Sequence, residues 1–311
     1  MRTWMTGGVL VLAIAACQPS APDPMAQNRQ TCGDAHADAA ARRTACSALI
    51  ESGALDDAAR SDTHANRADA ERQAGEITAA QNDYKAALDL NAHQAQALQG
   101  RASILLASGQ LDAAEAFVDQ LIETNQLPGP AHLMKGDIAL QRSDFAAAIA
   151  EYNAALVADS RSAPAFAGRA RAKLGQRDEA GALSDFDAAI DIDGDLAVAR
   201  AGRCWLRLKQ NKDDVGPPRA DADAAVRADP RNLDGQICRG VLQLRAGEWA
   251  GAKTSFDAAL ELAPGNPTAL FGRGIARNRS GDGQGTRDMN QASDFNHHVR
   301  ELYADYGVRT Y

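Results

Sequence analysis

Aromatic residues are scarce in this chain, since tryptophan, tyrosine and phenylalanine together make up 5% of its 311 residues. Long runs of β-branched residues are also missing, and alanine-rich segments take their place. Such a composition is untypical of a sheet protein and predicts an all-α fold. Acidic residues outnumber basic ones, which gives a formal net charge of −8. Because binding to phosphate backbones depends on clustered cations, this balance argues against a nucleic acid partner.

The sequence also lacks a catalytic or metal-binding constellation. His64 and His132 stand where a packing aromatic is expected, while His297 and His298 are adjacent on one expected helix and so face different directions. The segment 191–195 resembles the start of a calcium loop, but the glutamate that should close the loop is missing. We therefore expect no enzymatic activity, no bound metal and no cofactor.

What the chain does contain is a pattern that returns every 34 residues. At Tyr84, Tyr152, Phe186 and Phe256 an aromatic residue follows a small residue by four positions and precedes alanine by three. Small residues at this spacing let two helices approach closely, and the aromatic ring fills the gap between them. Counting back from the aromatics gives units at 61–94, 95–128, 129–162, 163–196, 197–232 and 233–266, and a degraded seventh from 267.

This spacing resembles the tetratricopeptide repeat family, and the resemblance covers about residues 33–300. It implies an all-α, right-handed superhelix (an α-solenoid) of about seven helix-turn-helix units with N- and C-terminal caps. Each unit of such a fold buries its apolar face against its neighbours, so no large central core is needed. The chain departs from the family pattern at Val118 and Ala222, which replace the second-helix aromatic, and at an inserted Pro217-Pro218 pair.

A cation stands at the seventh position of every unit. Acidic residues flank the aromatic position of the second helices, and we expect them to pair with these cations along the stack. The alternative is a basic track for an anionic polymer, which the interleaved acids would weaken. The seven cations are Arg67, Arg101, Lys135, Arg169, Arg203, Arg239 and Arg273.

The N-terminal residues have the shape of an export signal. A short apolar stretch follows Arg2, and we expect residues 1–16 to be a cleaved signal peptide. The Ile14–Cys17 segment resembles the bacterial lipobox, which implies lipid attachment at Cys17 and an extended tether over 17–31. The expected location is the periplasmic side of a bacterial outer membrane, anchored by lipid. An ordinary signal peptide and a soluble periplasmic protein are the alternative.

Five cysteines are an awkward number for an exported chain, but a lipidated Cys17 leaves four, enough for two pairs. We expect a disulfide between Cys32 and Cys46 that staples an N-terminal cap at 32–60, with two unpaired buried thiols as the alternative. Cys204 and Cys238 lie on consecutive first helices at positions that point to opposite flanks. They face each other or face apart according to the stacking sense, so this second pairing stays open.

The resemblance also implies a concave groove lined by the second, fifth, ninth, twelfth and thirteenth positions of each unit. Its C-terminal half is apolar in this chain, and a large apolar patch indicates a partner, here a helix or an extended segment of another protein. The groove residues are Leu133, Leu140, Arg171, Trp205, Leu208, Ile237, Val241, Leu244, Phe271 and Ile275.

The C-terminal tail offers an alternative use for the same groove. Phe295, Val299, Leu302, Tyr303 and Tyr306 follow one another at helical spacing, which predicts a capping helix after the seventh unit, within 267–311. That helix would serve as a lid if it folded into the groove and buried its apolar residues.

The sequence therefore predicts a non-catalytic adaptor that binds a protein in its groove. Its layout is similar to that of bacterial tetratricopeptide repeat lipoproteins that recruit cell-wall enzymes or join outer-membrane assembly machines. Two other functions fit the same residues: a carrier or enzyme accessory with a small-ligand pocket in the apolar groove, and a purely structural spacer. The sequence gives no oligomeric state.

Overall fold

The computed structural model describes residues 25–210 and 213–308, and within these ranges it contains seventeen helices and no strand. The all-α fold predicted from composition is therefore confirmed. The helices are α1 (Ala26–Gly33), α2 (Ala39–Glu51), α3 (Asp57–Gln73), α4 (Ile77–Leu90), α5 (Ala95–Ala107), α6 (Leu111–Thr124), α7 (Pro128–Gln141), α8 (Phe145–Ala158), α9 (Ala163–Gly175), α10 (Glu179–Ile192), α11 (Ala197–Gln210), α12 (Gly216–Ala228), α13 (Leu233–Arg245), α14 (Trp249–Leu262), α15 (Pro267–Arg279), α16 (Gly285–Phe295) and α17 (Val299–Asp305).

The chain divides into two compact units after Gln94. In the N-terminal unit, the pair α1 and α2 packs beside the helical hairpin of α3 and α4. The C-terminal unit contains six consecutive hairpins, from α5 and α6 to α15 and α16, followed by α17. Within it each hairpin packs on the next, and first helices also contact one another, as α7 does with α9 and α11 with α13. The C-terminal unit is therefore a solenoid of helix-turn-helix repeats.

Short polar side chains start many of these helices. Asp144, Ser162 and Asp178 each accept a hydrogen bond from a backbone N–H in the first turn, which satisfies a donor that the helix itself leaves unpaired. The turn between the two helices of a hairpin uses a residue with positive φ. Glycine fills it in four hairpins, but Ser143 and Arg177 adopt φ values of 62° and 64° at the same position, which costs backbone energy that glycine avoids.

Glycines let the aromatic rings of second helices enter between neighbouring first helices. Tyr152 of α8 lies between Gly136 of α7 and Gly168 of α9, and a Cβ atom at Gly136 would lie 2.7 Å from the tyrosine ring. Phe256 of α14 lies in the same way between two glycines of α13 and α15. Both rings are fully buried. The recurrent small and aromatic residues of the sequence therefore form one repeated packing site.

The fifth repeat fills this packing site differently. Its second helix, α12, carries Ala222 at the aromatic position, while Cys204 and Cys238 stand where Gly136 and Gly168 stand beside Tyr152. The two cysteines form a disulfide that joins α11 to α13. Both cysteines and Ala222 are fully buried in one cluster. The disulfide thus occupies the space that an aromatic ring occupies in other repeats.

The N-terminal unit begins with a second disulfide. Cys32 and Cys46 are bonded and tie α1 to α2, and α2 begins after Asp38, whose carboxylate accepts from the Ala41 backbone N–H. The predicted extended tether over 17–31 is wrong for its last residues, because helix α1 starts at Ala26. The prolines that favoured an extended chain all precede that helix, and the disulfide fixes a helix that would be marginal alone.

The signal peptide predicted at residues 1–16, the lipidation site Cys17 and the first part of the tether lie outside the described residues. Within residues 25–210 and 213–308, none of the helices combines the length and the apolar character needed to cross a bilayer.

Candidate functional site

The predicted groove positions lie on one face of the first helices of the C-terminal unit, which we call the first-helix face. Most of its apolar side chains are buried in one cluster that also contains residues of the C-terminal tail, so the prediction that they line an open groove is wrong. The tail acts as the lid that the sequence left as an alternative. The buried groove residues are Leu208, Ile237, Val241, Leu244, Phe271 and Ile275.

Two tyrosines fix the tail, residues 299–308, on the first-helix face. The Tyr303 ring lies 5.2 Å from that of Phe271, centroid to centroid, and its hydroxyl donates a 2.7 Å hydrogen bond to the Thr268 carbonyl. Tyr303 is fully buried. Three residues further on, the Tyr306 ring lies 4.9 Å from that of Trp205. Aromatic pairs at such distances attract beyond their apolar burial, so the tail is held at two points.

An open cavity of about 390 Å³ remains on the first-helix face beside the tail. We call it the Trp205 cavity. Val198, on its wall, is 43% exposed and gives the cavity an accessible apolar surface. The residues that line the cavity are Arg171 and Leu174 of α9, Phe186 of α10, Val198, Gly202 and Trp205 of α11, and Asn232 and Asp234 beside and within α13.

The local sequence explains how this cavity forms. Gly202 has no side chain, which lets the buried Phe186 ring come close to α11 and form the apolar floor. Asn232 is occupied as the N-cap of α13, where its side chain accepts from the Gly235 backbone N–H. Trp205 is held against Tyr306. Secondary structure and the tail therefore fix the walls of the cavity.

Charges of opposite sign stand on two sides of the cavity. Arg171 is exposed on the α9 side and Asp234 is exposed on the α13 side. Burial raises the pKa of Asp137 on the neighbouring helix α7, and it outweighs the hydrogen bond from Tyr152 and the charge of Arg171, which both lower that pKa. Asp137 is also engaged by Tyr152, whose hydroxyl donates to it at 2.7 Å.

The hydrogen bond from the Tyr152 hydroxyl to Asp137 gives a first prediction about stability. We expect Tyr152→Phe to lower the free energy of unfolding by about 1–3 kcal/mol, because the partly buried carboxylate loses its donor. Adding Asp137→Leu should recover most of the loss. The pKa of Asp137 is raised, so its carboxyl becomes neutral as the pH falls through the folded value, and the Tyr152→Phe deficit should shrink there. Urea titrations at several pH values measure this; a pH-independent deficit would contradict it.

The remaining groove residues from the sequence, Leu133 and Leu140, lie on α7. Both are half-buried and pack against a cluster that contains Tyr152 and Ala155 of α8. They do not line the Trp205 cavity. Of the ten predicted groove residues, only Arg171 and Trp205 therefore line the Trp205 cavity.

The cations at the seventh position are mainly structural, as expected from the interleaved acids. Several bridge two repeats: Arg203 donates to Asp221 of its own second helix and to Asp187 of the preceding one. Arg101 lies over the Phe117 ring. Arg239 donates to Ser255 and Gln236. The ion pairs of the other cations are Arg67 with Asp83, Lys135 with Asp119, Arg169 with Asp185 and Arg273 with Asp288.

The Asp185 carboxylate gives a prediction about acid sensitivity. Burial alone would raise its pKa, but hydrogen bonds from Arg169 and Lys173 outweigh burial and lower it. A lowered folded pKa stabilises the fold above the ordinary aspartate value of about 4, and this stabilisation is lost as the pH falls through the folded value. Asp185→Asn should therefore cost about 2–3 kcal/mol at neutral pH, and this cost should decrease progressively as the pH falls below about 4 towards the folded pKa.

The matched control for Asp185→Asn is Asp89→Asn. Asp89 pairs with Lys85 on an exposed helix surface, where such pairs are worth about 0.5 kcal/mol or less. Denaturant titration at pH 7 and pH 3 measures both variants. Equal losses at pH 7 would show that the buried position of Asp185 adds nothing.

Some cavity residues were not singled out from the sequence. Val198, Asp234 and Leu174 stand at the second and twelfth positions of their repeats, so the family pattern contained the signal for them. Phe186 and Gly202 carry packing roles in the pattern, and no sequence signal assigns them to a cavity. Among the described residues, no group of three histidine, cysteine, aspartate or glutamate side chains is arranged to hold a metal ion.

Two family models match the chain, and both carry the description tetratricopeptide repeat. One matches residues 71–138, and the other matches residues 131–212, 219–267 and 239–285. The matches together span more than half of the sequence. No curated protein sequence matches the chain.

Solved structures resemble the chain in fold. A tetratricopeptide repeat protein from Parabacteroides merdae is 15% identical, with a TM-score of 0.51 over 79% of this chain and 98% of the other. Pseudomonas aeruginosa pilF is 15% identical, with a TM-score of 0.52 over 68% of this chain and 95% of the other. Yeast Tom70 is 11% identical, with a TM-score of 0.54 over 86% of this chain and 60% of the other. At these identities the likeness is one of fold alone.

Proposed function

Because the chain belongs to the tetratricopeptide repeat family, we propose that it is a non-catalytic scaffold that binds a segment of a partner protein at the Trp205 cavity. One observation carries the proposal: this part of the first-helix face stays open and partly apolar, while the tail covers the face between α15 and α11. Stacked repeats present extended surfaces that suit protein segments. The charged groups at the cavity rim give such a segment a fixed orientation.

Photo-crosslinking in cells that produce the protein tests this proposal. A photoreactive amino acid replaces Val198, which lines the cavity, and in a matched variant it replaces Val157 of α8, which is 89% exposed and does not line the cavity. We expect a discrete protein adduct from position 198 that is absent from position 157. The adduct should disappear when Trp205→Ala is added, because the cavity loses its aromatic wall.

Two results would overturn the scaffold proposal. One is that positions 157 and 198 give the same adducts, which would mean that other proteins contact the surface non-specifically and not at the cavity. The other is a position 198 adduct that survives Trp205→Ala. Capture of only a small molecule at position 198 would favour the ligand carrier instead. Thermal unfolding of each variant must stay close to the parent, so that loss of an adduct reports the surface.

The proposal includes a lipid anchor at Cys17, on the basis of the apolar stretch before it and the small residues at Ala15 and Ala16. The oxidised pairs of the described residues support an oxidising compartment. We expect the chain to fractionate with membranes when expressed with its own N-terminus in a Gram-negative bacterium, and Cys17→Ser to release it. A Cys17→Ser protein that stays in the membrane fraction would contradict the anchor.

A further inference from the structure

The first-helix face already binds aromatic side chains in cis. The Tyr303 ring of the tail packs on Phe271 of α15, and the Tyr306 ring packs on Trp205 of α11. These two contacts follow the face from α15 towards α11. The Trp205 cavity continues the same line to α9, because Trp205 contributes to both the tail contact and the cavity wall. The cavity is therefore continuous with an interface that holds two aromatic rings.

The floor of the cavity suits another ring. Phe186 and Leu174 form an apolar base, and Val198 extends it to the rim. Gly202 has no side chain, so the fully buried Phe186 ring packs directly against the α11 backbone beneath the cavity. Aromatic rings packed against aromatic walls gain attraction beyond apolar burial. An aliphatic side chain would gain only the burial.

The charges at the rim of the cavity determine which charged residue can lie next to the bound ring. Arg171 is exposed on the α9 side, and its neighbour Asp137 is already bound by the Tyr152 hydroxyl. Asp234 is exposed on the α13 side. A carboxylate beside the bound ring is therefore attracted towards α9 and repelled from α13, which fixes the direction of the segment.

We infer that the Trp205 cavity binds an aromatic side chain of a partner segment together with an adjacent acidic residue, with the ring against Trp205, Val198 and Leu174 and the carboxylate at Arg171. The inference rests on the proposed scaffold function and names the chemistry of its partner. The acidic residue binds on the α9 side of the ring.

Blocked tripeptides test this chemistry on the full chain. The probe is acetyl-Glu-Phe-Glu-amide, and the comparison peptides are acetyl-Glu-Ala-Glu-amide and acetyl-Lys-Phe-Lys-amide. In nitrogen-15 NMR spectra, the indole N–H resonance of Trp205 should shift saturably with Glu-Phe-Glu at millimolar concentration or below. The indole of Trp249, which does not line the cavity, should stay in place and serves as an internal reference.

Arg171→Glu should weaken Glu-Phe-Glu binding at least about tenfold, the loss expected for one charge-assisted contact replaced by repulsion. Arg227→Glu makes the same charge reversal at an exposed position of α12 outside the cavity and should leave binding unchanged. Both sites are exposed, but Arg171→Glu also places a negative charge near the partly buried Asp137 carboxyl. Thermal unfolding of both variants therefore accompanies the binding measurement.

The inference fails if Glu-Ala-Glu or Lys-Phe-Lys shifts Trp205 as strongly as Glu-Phe-Glu, if Arg171→Glu binds as the parent does, or if no tripeptide shifts Trp205 at 10 mM. The crosslink from position 198 tests the scaffold function independently of each of these results. A specific crosslink with negative peptides would retain the scaffold and reject this partner chemistry. If neither the crosslink from position 198 nor the peptide binding is observed, the scaffold function and the partner chemistry are both rejected.

Discussion

Replacing Cys204 and Cys238 with serine is expected to lower the free energy of unfolding by about 4 kcal/mol, which would be one of the largest losses available in this chain. The disulfide closes a loop of 34 residues, and the chain-entropy model assigns about that value to a loop of this length. Packing adds to the loss, because the bond also fills the site that an aromatic ring fills in other repeats.

Hydrogen exchange of the C-terminal unit measures this change. Protection should fall first in α11, α12 and α13, since repeat proteins lose structure locally at their weakest interface. The matched control is Cys32→Ser with Cys46→Ser, which opens a 14-residue loop in the N-terminal unit and should leave the protection of those three helices unchanged. Equal protection of α11–α13 in the parent and the Cys204/Cys238 variant would contradict the prediction.

A rescue variant separates the packing effect from the loop effect. Glycine at positions 204 and 238 with phenylalanine at 222 would copy the arrangement of Phe256 and its two flanking glycines. We expect this triple variant to recover at least half of the stability that the two cysteine-to-glycine changes remove. If Ala222→Phe brings no recovery in that background, the disulfide does not stand in for an aromatic ring.

Replacing Tyr303 with alanine should cost about 3–5 kcal/mol, the usual range for deleting a fully buried aromatic side chain. The ring packs on Phe271 and its hydroxyl bonds the Thr268 carbonyl. Tyr303→Phe keeps the ring and loses only the hydrogen bond, so its cost should be about 1 kcal/mol. The difference between the two variants measures how much of the tail's attachment comes from the ring.

The Tyr303→Ala change should also release the tail. Hydrogen exchange should accelerate in α17, and the fluorescence of Trp205 should move towards that of an exposed indole, because Tyr306 no longer has a fixed position. Tyr306→Ala should expose Trp205 and leave α17 protected through Tyr303. An α17 that exchanges no faster in Tyr303→Ala would show that the tail is held by other contacts.

Much of the fold follows from the sequence because local and neighbouring contacts decide it. The spacing of small and aromatic residues fixes where two helices meet, and Tyr152 and Phe256 occupy matching sites as the period predicts. The helical spacing of the tail also predicted a helix, which the structure shows as α17, with Val299 and Tyr303 buried in one cluster. Phe295, at the same spacing, is instead 61% exposed, because α16 ends there and the chain turns before α17.

The candidate site followed less directly from the sequence. The position of the tail decides which apolar side chains remain exposed to solvent. Helical spacing shows that α17 has an apolar face, but it does not show what that face contacts. Ile237 and Phe271 therefore looked like partner-binding residues and are buried. The fate of Cys204 and Cys238 depended on the stacking sense of neighbouring helices, which one sequence does not determine.

The bond between α11 and α13 has a consequence for biosynthesis. Until it forms, the middle of the array has neither a ring nor a disulfide at Ala222, and a newly made chain opens there more readily to proteases. Copies held among reducing thiols should therefore be degraded faster than oxidised ones. The cellular abundance of this protein should rise and fall with the capacity of its compartment to oxidise cysteines.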